Sequence, residues 1–351
     1  MNLVKNTIYN ILGLGLPLVI AFFSIPVLIE ELGDARFGIL TLIWAVVSYF
    51  GLFDLGLGRA LTQQLAIALN SDQRNNAGPL IATSLFLMTF LGITAGVLMA
   101  AAAYWGVGLM KAVPNQQETV NAVFAMALAM PAIILTTGFR GILEARHAFG
   151  IINLIRLPMG LFTFLGPLAV VVYGQPRLDA IALTLTIGRI VGCIIHSVCA
   201  WNALPMDCKN LRARKELIRP LCISGGWLTI SNIISPLMGY IDRFLIGGIV
   251  STAAVAYYSA PQEMVTKLWI LPGALTAVLF PTFAEQIAKR DLNTRIVFEK
   301  AVNWLFLAIF PITLTLALFS FEVIEYWISR DFAYNSALLL QIFCFGILIN
   351  C

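Results

Sequence analysis

The chain has 351 residues, of which 60% are hydrophobic and only 11% charged, with a mean hydropathy of +0.89 and a net charge of +4. A soluble domain carries about 25% charged residues, so this composition excludes a water-soluble globule and points to a bilayer. No basic run with interleaved aromatics appears, which excludes nucleic acid as a partner.

Ten apolar segments can be drawn in chain order, each near the length of about 20 residues that spans the hydrocarbon core. They are residues 8–29, 37–57, 80–103, 120–143, 151–173, 180–201, 221–250, 255–280, 302–319 and 336–351. The first is read as a retained span and not a cleaved signal peptide. It is long, only Lys5 precedes it, and "EELGDARFG" follows with no small-residue cleavage pattern. The seventh is too long for a straight perpendicular span and must tilt, bend or project. The connections are short, so no soluble domain is expected.

The charge between segments sets the orientation. With the N-terminus in the cytosol, fifteen Lys and Arg fall on the cytosolic side and five on the outer side, as the positive-inside rule requires. The longest basic connection, residues 202–219, is then cytosolic.

Small and polar residues recur at steps of three and four in two places, Asn10, Gly13, Pro17, Ala21 and Ser24, and Gly225, Thr229, Asn232, Pro236, Gly239 and Arg243. Such steps hold residues on one helix face, where small side chains also serve plain helix packing in membranes. Superposing Pro17 on Pro236 suggests a parallel repeat of six spans. The expected lobes are residues 1–205 (spans one to six) and 206–351 (spans seven to ten, a lobe short by about two spans).

Charges inside the membrane are costly and face protein or a watery cavity. The embedded candidates are Asp54, Arg189, Asp242, Arg243, Glu263 and Lys267. Asp54 is placed about one turn from the cytosolic end of span two, in "DLGLGR", where the glycines permit close helix approach. Arg189 lies near mid-span with Thr186, Cys193 and His196 on its face. Glu263 and Lys267 stand at i, i+4 with the acid first, the better order for a helical ion pair. Arg59, Arg140 and Arg156 are placed near the cytosolic boundary. The six cysteines form no CxxC pair and are read as structural, and two histidines far apart offer no metal site. The nucleotide-binding pattern GxxxxGK[ST] and the hydrolase patterns HExxH and GxSxG are absent, so no cofactor and no ATPase of its own is expected. The surplus of embedded and boundary cations points to an anionic substrate, since basic pockets between spans bind lipid head groups.

The stretches "LPLVIAFFSIPVLIEELGDARFGILTL", "FDLGLGRALTQ", "GILEARHAFGIIN", "GWLTISNIISPLMGYIDRFLIG" and "AYYSAPQEMVTKLWILPGALTAVLFPTFAE" together resemble bacterial polysaccharide repeat-unit flippases of the O-antigen type, in the multidrug/oligosaccharidyl-lipid/polysaccharide flippase superfamily. The resemblance implies an all-α polytopic protein of the bacterial inner membrane, with two six-helix lobes around a central cavity. It implies a non-enzymatic function, moving an undecaprenyl-pyrophosphate-linked oligosaccharide from the cytosolic to the periplasmic leaflet, with membrane lipid and other polysaccharide-assembly proteins as partners. The family's cavity cations map onto Arg59, Arg189, Arg243 and Lys267. Asp54, Asp242 and Glu263 are candidate protonation sites for ion coupling. About twelve spans are expected in the family, and the chain ends near the tenth, so a shortened second lobe is expected. Two other functions compete. A multidrug cation antiporter of the same superfamily calls for more embedded acid than base. A membrane-embedded polymerase or ligase calls for a large outer loop bearing catalytic groups.

Overall fold

The computed structural model describes every residue except 1–2, 51–53, 71–75, 210, 274, 276–293 and 351. The described residues are helical, with no strand among them. In chain order they form α1 (Leu3–Leu32), α2 (Asp34–Phe50), α3 (Leu57–Leu69), α4 (Ala77–Gly108), α5 (Gln116–Ala145), α6 (Phe149–Tyr173), α7 (Leu178–Ala203), α8 (Ile218–Ile249), α9 (Thr252–Thr266), α10 (Thr294–Leu318), α11 (Ser320–Trp327) and α12 (Arg330–Asn350). Among the described residues six helices are long and apolar enough to cross a membrane: α4, α5, α6, α7, residues 297–318 of α10, and α12. Each lies over one of the segments expected from hydropathy, usually with another turn or so beyond it.

Two compact units are present, Met1–Val255 and Ala256–Cys351. Within the first unit α8 packs on α2, α3 and α4, and its end is tied to the connection after α4. Lys111 donates its backbone N–H to Gly247 O (3.0 Å) and its ammonium to Ile249 O (2.7 Å). Thr252 returns two bonds, N–H to Lys111 O (3.1 Å) and Oγ1 to Ala112 O (2.9 Å). The last carbonyls of a helix lack intrahelical donors and carry its negative pole, so a lysine there meets both needs.

In the first unit α5 is the central helix, with α4, α7 and α3 against it, while α6 packs on α1 and α7. The α4–α5 crossing is close because Gly92 and Gly96 lie one turn apart on α4. A Cβ on Gly92 would stand 2.6 Å from Pro131 Cα, and one on Gly96 2.6 Å from Ala127 O. The starts of α5 and α7 are joined through Glu118, which is buried. Its backbone N–H is capped by Asn115 Oδ1 (3.1 Å), its carboxylate accepts from Leu178 N–H (2.6 Å), and it pairs with Arg36 of α2 (3.1 Å). One acid thus fixes three helix ends.

In the second unit α11 and α12 pack together and α10 packs along α12. Tyr257 and Phe332 meet edge to face at 5.0 Å, and Ser336 Oγ donates to Tyr257 O (3.0 Å). The stripes compared for the internal repeat fall largely on side chains of residues 3–15 and 224–237, which lie outside the described residues.

Candidate functional site: a cationic cavity between helices 5, 6 and 7

Where α5, α6 and α7 converge, the first unit contains a cavity of about 460 Å³. Its polar lining is Thr136, Thr137, Arg140 and Glu144 from α5, Arg156 and Thr163 from α6, and Arg189 and His196 from α7. Val47 adds an apolar patch from α2.

Helix geometry gives the depth of each group, at about 1.5 Å of rise per residue. α5 and α7 end, and α6 begins, at the same end of the unit. From that end Arg140 lies about 8 Å in, Arg156 and His196 about 10 Å, and Arg189 about 21 Å. The cations therefore line a path from one boundary to mid-span. Arg140 Nε pairs with Glu144 Oε1 (3.2 Å) one turn later on its own helix. Among the described residues Arg156 and Arg189 have no carboxylate partner. Three guanidiniums facing one carboxylate leave the cavity net positive. An unpaired guanidinium is stable in a membrane protein only where water or a bound anion replaces its lost hydration.

Of the four expected cavity cations, the structure brings only Arg189 to this cavity. Arg59 is exposed on α3. Arg243 is buried in α8, its guanidinium 5.6 Å from the Tyr240 ring centroid, and it is not among the lining residues. Lys267 belongs to the second unit and holds Glu263 at 2.7 Å, the helical ion pair expected from the i, i+4 spacing. Asp242 Oδ1 accepts the backbone N–H of Arg243 (2.8 Å).

Asp54 requires a correction of place. α2 is described as far as Phe50, and Asp54 stands in the turn that starts α3. Its carboxylate is buried and accepts three bonds, from Gly56 N–H (3.0 Å), Gly58 N–H (2.9 Å) and Thr137 Oγ1 (3.1 Å). It satisfies the orphan N–H groups of a new helix, the task of an acid at an N-terminus. The glycines follow from the same geometry. Gly56 has φ +70°, and a Cβ on Gly58 would lie 2.5 Å from Asp54 Oδ2. A Cβ on Gly141 would in turn lie 2.9 Å from Gly58 O, so α3 and α5 cross at bare backbone, immediately behind the cavity wall.

Arg140 and Arg156, expected near the boundary shared by the fourth and fifth segments, stand about 8 and 10 Å from the ends of α5 and α6 and line the cavity. His196 was expected on the face of Arg189, and it does line the cavity. Thr186, expected on that face too, instead donates to Ala125 O (2.7 Å) and pins α7 to α5. Among the described residues no cluster of three or more His, Cys, Asp and Glu could hold a metal ion.

The profile of the polysaccharide biosynthesis protein family matches residues 3–286. The chain belongs to that family. A Shigella flexneri protein provisionally named an O-antigen transporter is 28% identical over 355 residues, covering 100% of this chain and 82% of that protein. Among solved structures, an inward-facing multidrug resistance MATE family transporter of the MOP superfamily matches with a TM-score of 0.75 at 14% identity, over 96% of this chain and 82% of its own. A MOP superfamily transporter from Pyrococcus furiosus, described as having a binding pocket of reverse polarity, matches at 0.63 and 15% identity, over 96% and 76%. The expected family and the expected helical superfamily fold are both met. This member of the family is a multi-pass membrane protein.

Proposed function

We propose that the chain is a flippase that carries an undecaprenyl-pyrophosphate-linked oligosaccharide, an O-antigen or related repeat unit, from the cytosolic to the periplasmic leaflet of the bacterial inner membrane. The observation that carries this reading is the cavity with Arg140, Arg156 and Arg189 in its wall and, among the described residues, Glu144 as its one lining carboxylate. Family membership and the name of the Shigella relative support it. The protein acts as a transporter and not an enzyme: it supplies binding and a path, and no bond is made or broken.

In this reading the N-terminus is cytosolic, and the cavity opens to the cytosol at the shared ends of α5, α6 and α7. The guanidiniums replace the water lost by the pyrophosphate, the polyprenyl tail stays in lipid, and lobes 1–205 and 206–351 alternate access by rocking. Arg59, Arg243 and Lys267 contribute charge at other stages of the path, and Asp54, Asp242 and Glu263 are the candidates for ion coupling. Other polysaccharide-assembly proteins deliver and consume the carrier. A cation antiporter would need acid in excess of base in its cavity, the reverse of the lining here.

Complementation of a flippase-deficient strain tests the proposal. Arg156→Ala and Arg189→Ala are expected to lower surface glycan at least tenfold at unchanged protein level, while Arg189→Lys retains part of it. Full export by both alanine variants would overturn the reading.

A further inference from the structure

Among the described residues lining the cavity, His196 is the one titratable group that is neither an arginine nor part of the Arg140–Glu144 pair. Its Nδ1 lies 2.8 Å from Gly192 O, one turn back on α7. A carbonyl oxygen can only accept, so Nδ1 carries a hydrogen and donates it. In the neutral ring Nε2 then holds the lone pair. Nε2 makes no hydrogen bond to any described residue, and the side chain borders the cavity.

This has a chemical consequence for any anion in the cavity. The oxygens of a phosphate-type anion are acceptors, and so is the lone pair of Nε2. The two meet favourably only after Nε2 takes a proton. The other charged groups lining the cavity are Arg140 and Glu144 on α5, Arg156 on α6 and Arg189 on α7, with α2 adding only the apolar Val47. The arginines are permanently charged, and Glu144 is held by Arg140. His196 is thus the group whose donor count can change when the anion arrives.

We infer that His196 is a proton-linked binding residue of this site, engaging a tetrahedral oxyanion as imidazolium so that each anion enters the cavity with one proton. The inference rests on the reading of the cavity as an anion site. The step is a simple protonation. One proton from bulk water goes onto the Nε2 lone pair, Nδ1 keeps its hydrogen on Gly192 O, and no covalent bond of the anion changes. By linkage, if the anion favours the proton, the proton favours the anion by the same factor.

The chain contains two histidines, His147 and His196, so ¹⁵N-histidine labelling in zwitterionic nanodiscs gives two imidazole spin systems, assigned with His147→Gln. Sulfate is the probe, because it stays doubly charged across the pH range used. At pH 7.5 without sulfate, His196 should show one protonated nitrogen, Nδ1. Saturating sulfate should protonate both. Sulfate affinity should rise by up to about tenfold per unit fall in pH, and His196→Gln should bind sulfate with an affinity independent of pH. Saturable perturbation of the arginine side-chain signals by sulfate, with His196 left singly protonated, would overturn the inference and leave the anion site standing. No sulfate binding at any pH would overturn both. The wild-type spectra decide the matter even if the glutamine variant fails to fold.

Discussion

Asp54 shows how a residue that reads as a candidate for ion coupling in sequence can also carry a structural task. A carboxylate beside glycines in an apolar chain reads as a buried charge awaiting a proton or a partner. In the structure both oxygens are already used, by two backbone N–H groups and a threonine hydroxyl. Two substitutions separate the roles. Asp54→Asn keeps an acceptor for the helix start and should retain most export. Asp54→Ala leaves buried donors unpaired and should lower stability by about 1–2 kcal/mol, read as a lower melting temperature of the purified protein. Loss of export in Asp54→Asn at normal stability would instead make Asp54 an ion-coupling site. The sequence made the importance of "DLGLGR" legible but not its role, because capping is defined by φ, ψ and donor positions that no residue count reveals. Arg189 was legible because it stands in mid-span with polar neighbours at helical spacing. Arg140 and Arg156 were legible as charges near the boundary, but not as companions of Arg189 in one cavity wall, because that depends on how α5, α6 and α7 pack together.

At the scale of elements, the clasp between residues 111–112 and the α8–α9 turn is the feature with most mechanical content. Lys111 serves two terminal carbonyls of α8, and Thr252 serves the backbone of Lys111 and Ala112. Ala112 holds a φ of +56° to do so, a left-handed conformation unfavourable for a residue with a Cβ. If lobes 1–205 and 206–351 rock, these bonds must break in each cycle. A cysteine pair at Ala112 and Thr252, in a cysteine-free background, should therefore stop export when oxidised and restore it on reduction. Export unaffected by a fully formed disulfide would show that the clasp is static. Apolar length and glycine spacing outlined the long helices well. The clasp could not be read, because its partners are some 140 residues apart and bond mainly through backbone.

For the whole molecule, orientation and chemistry form one claim. Arginines reaching from one boundary to mid-span make sense for a pyrophosphate only if that boundary faces the cytosol, where the positive-inside bias also places it. Cys208 is a poor reporter of sidedness because it is fully buried. Lys215 is exposed in the same connection, and Lys215→Cys should resist an impermeant thiol reagent in intact spheroplasts and react in inverted vesicles. The reverse pattern would invert the topology. The second unit offers an ion pair of its own in Glu263–Lys267, but the converging guanidiniums belong to the first.

Transbilayer movement measured directly bears hardest on the central claim, that the guanidiniums of the α5–α6–α7 cavity bind the carrier's pyrophosphate. Purified protein is reconstituted into liposomes with a fluorescent polyprenyl-pyrophosphate oligosaccharide, and the fraction reaching the far leaflet is followed over time. The account predicts movement by the wild type, a fall of at least tenfold in Arg156→Ala and Arg189→Ala, partial rescue in Arg189→Lys, and competition by free pyrophosphate. Wild-type rates in both alanine variants, with no competition by pyrophosphate, would contradict it.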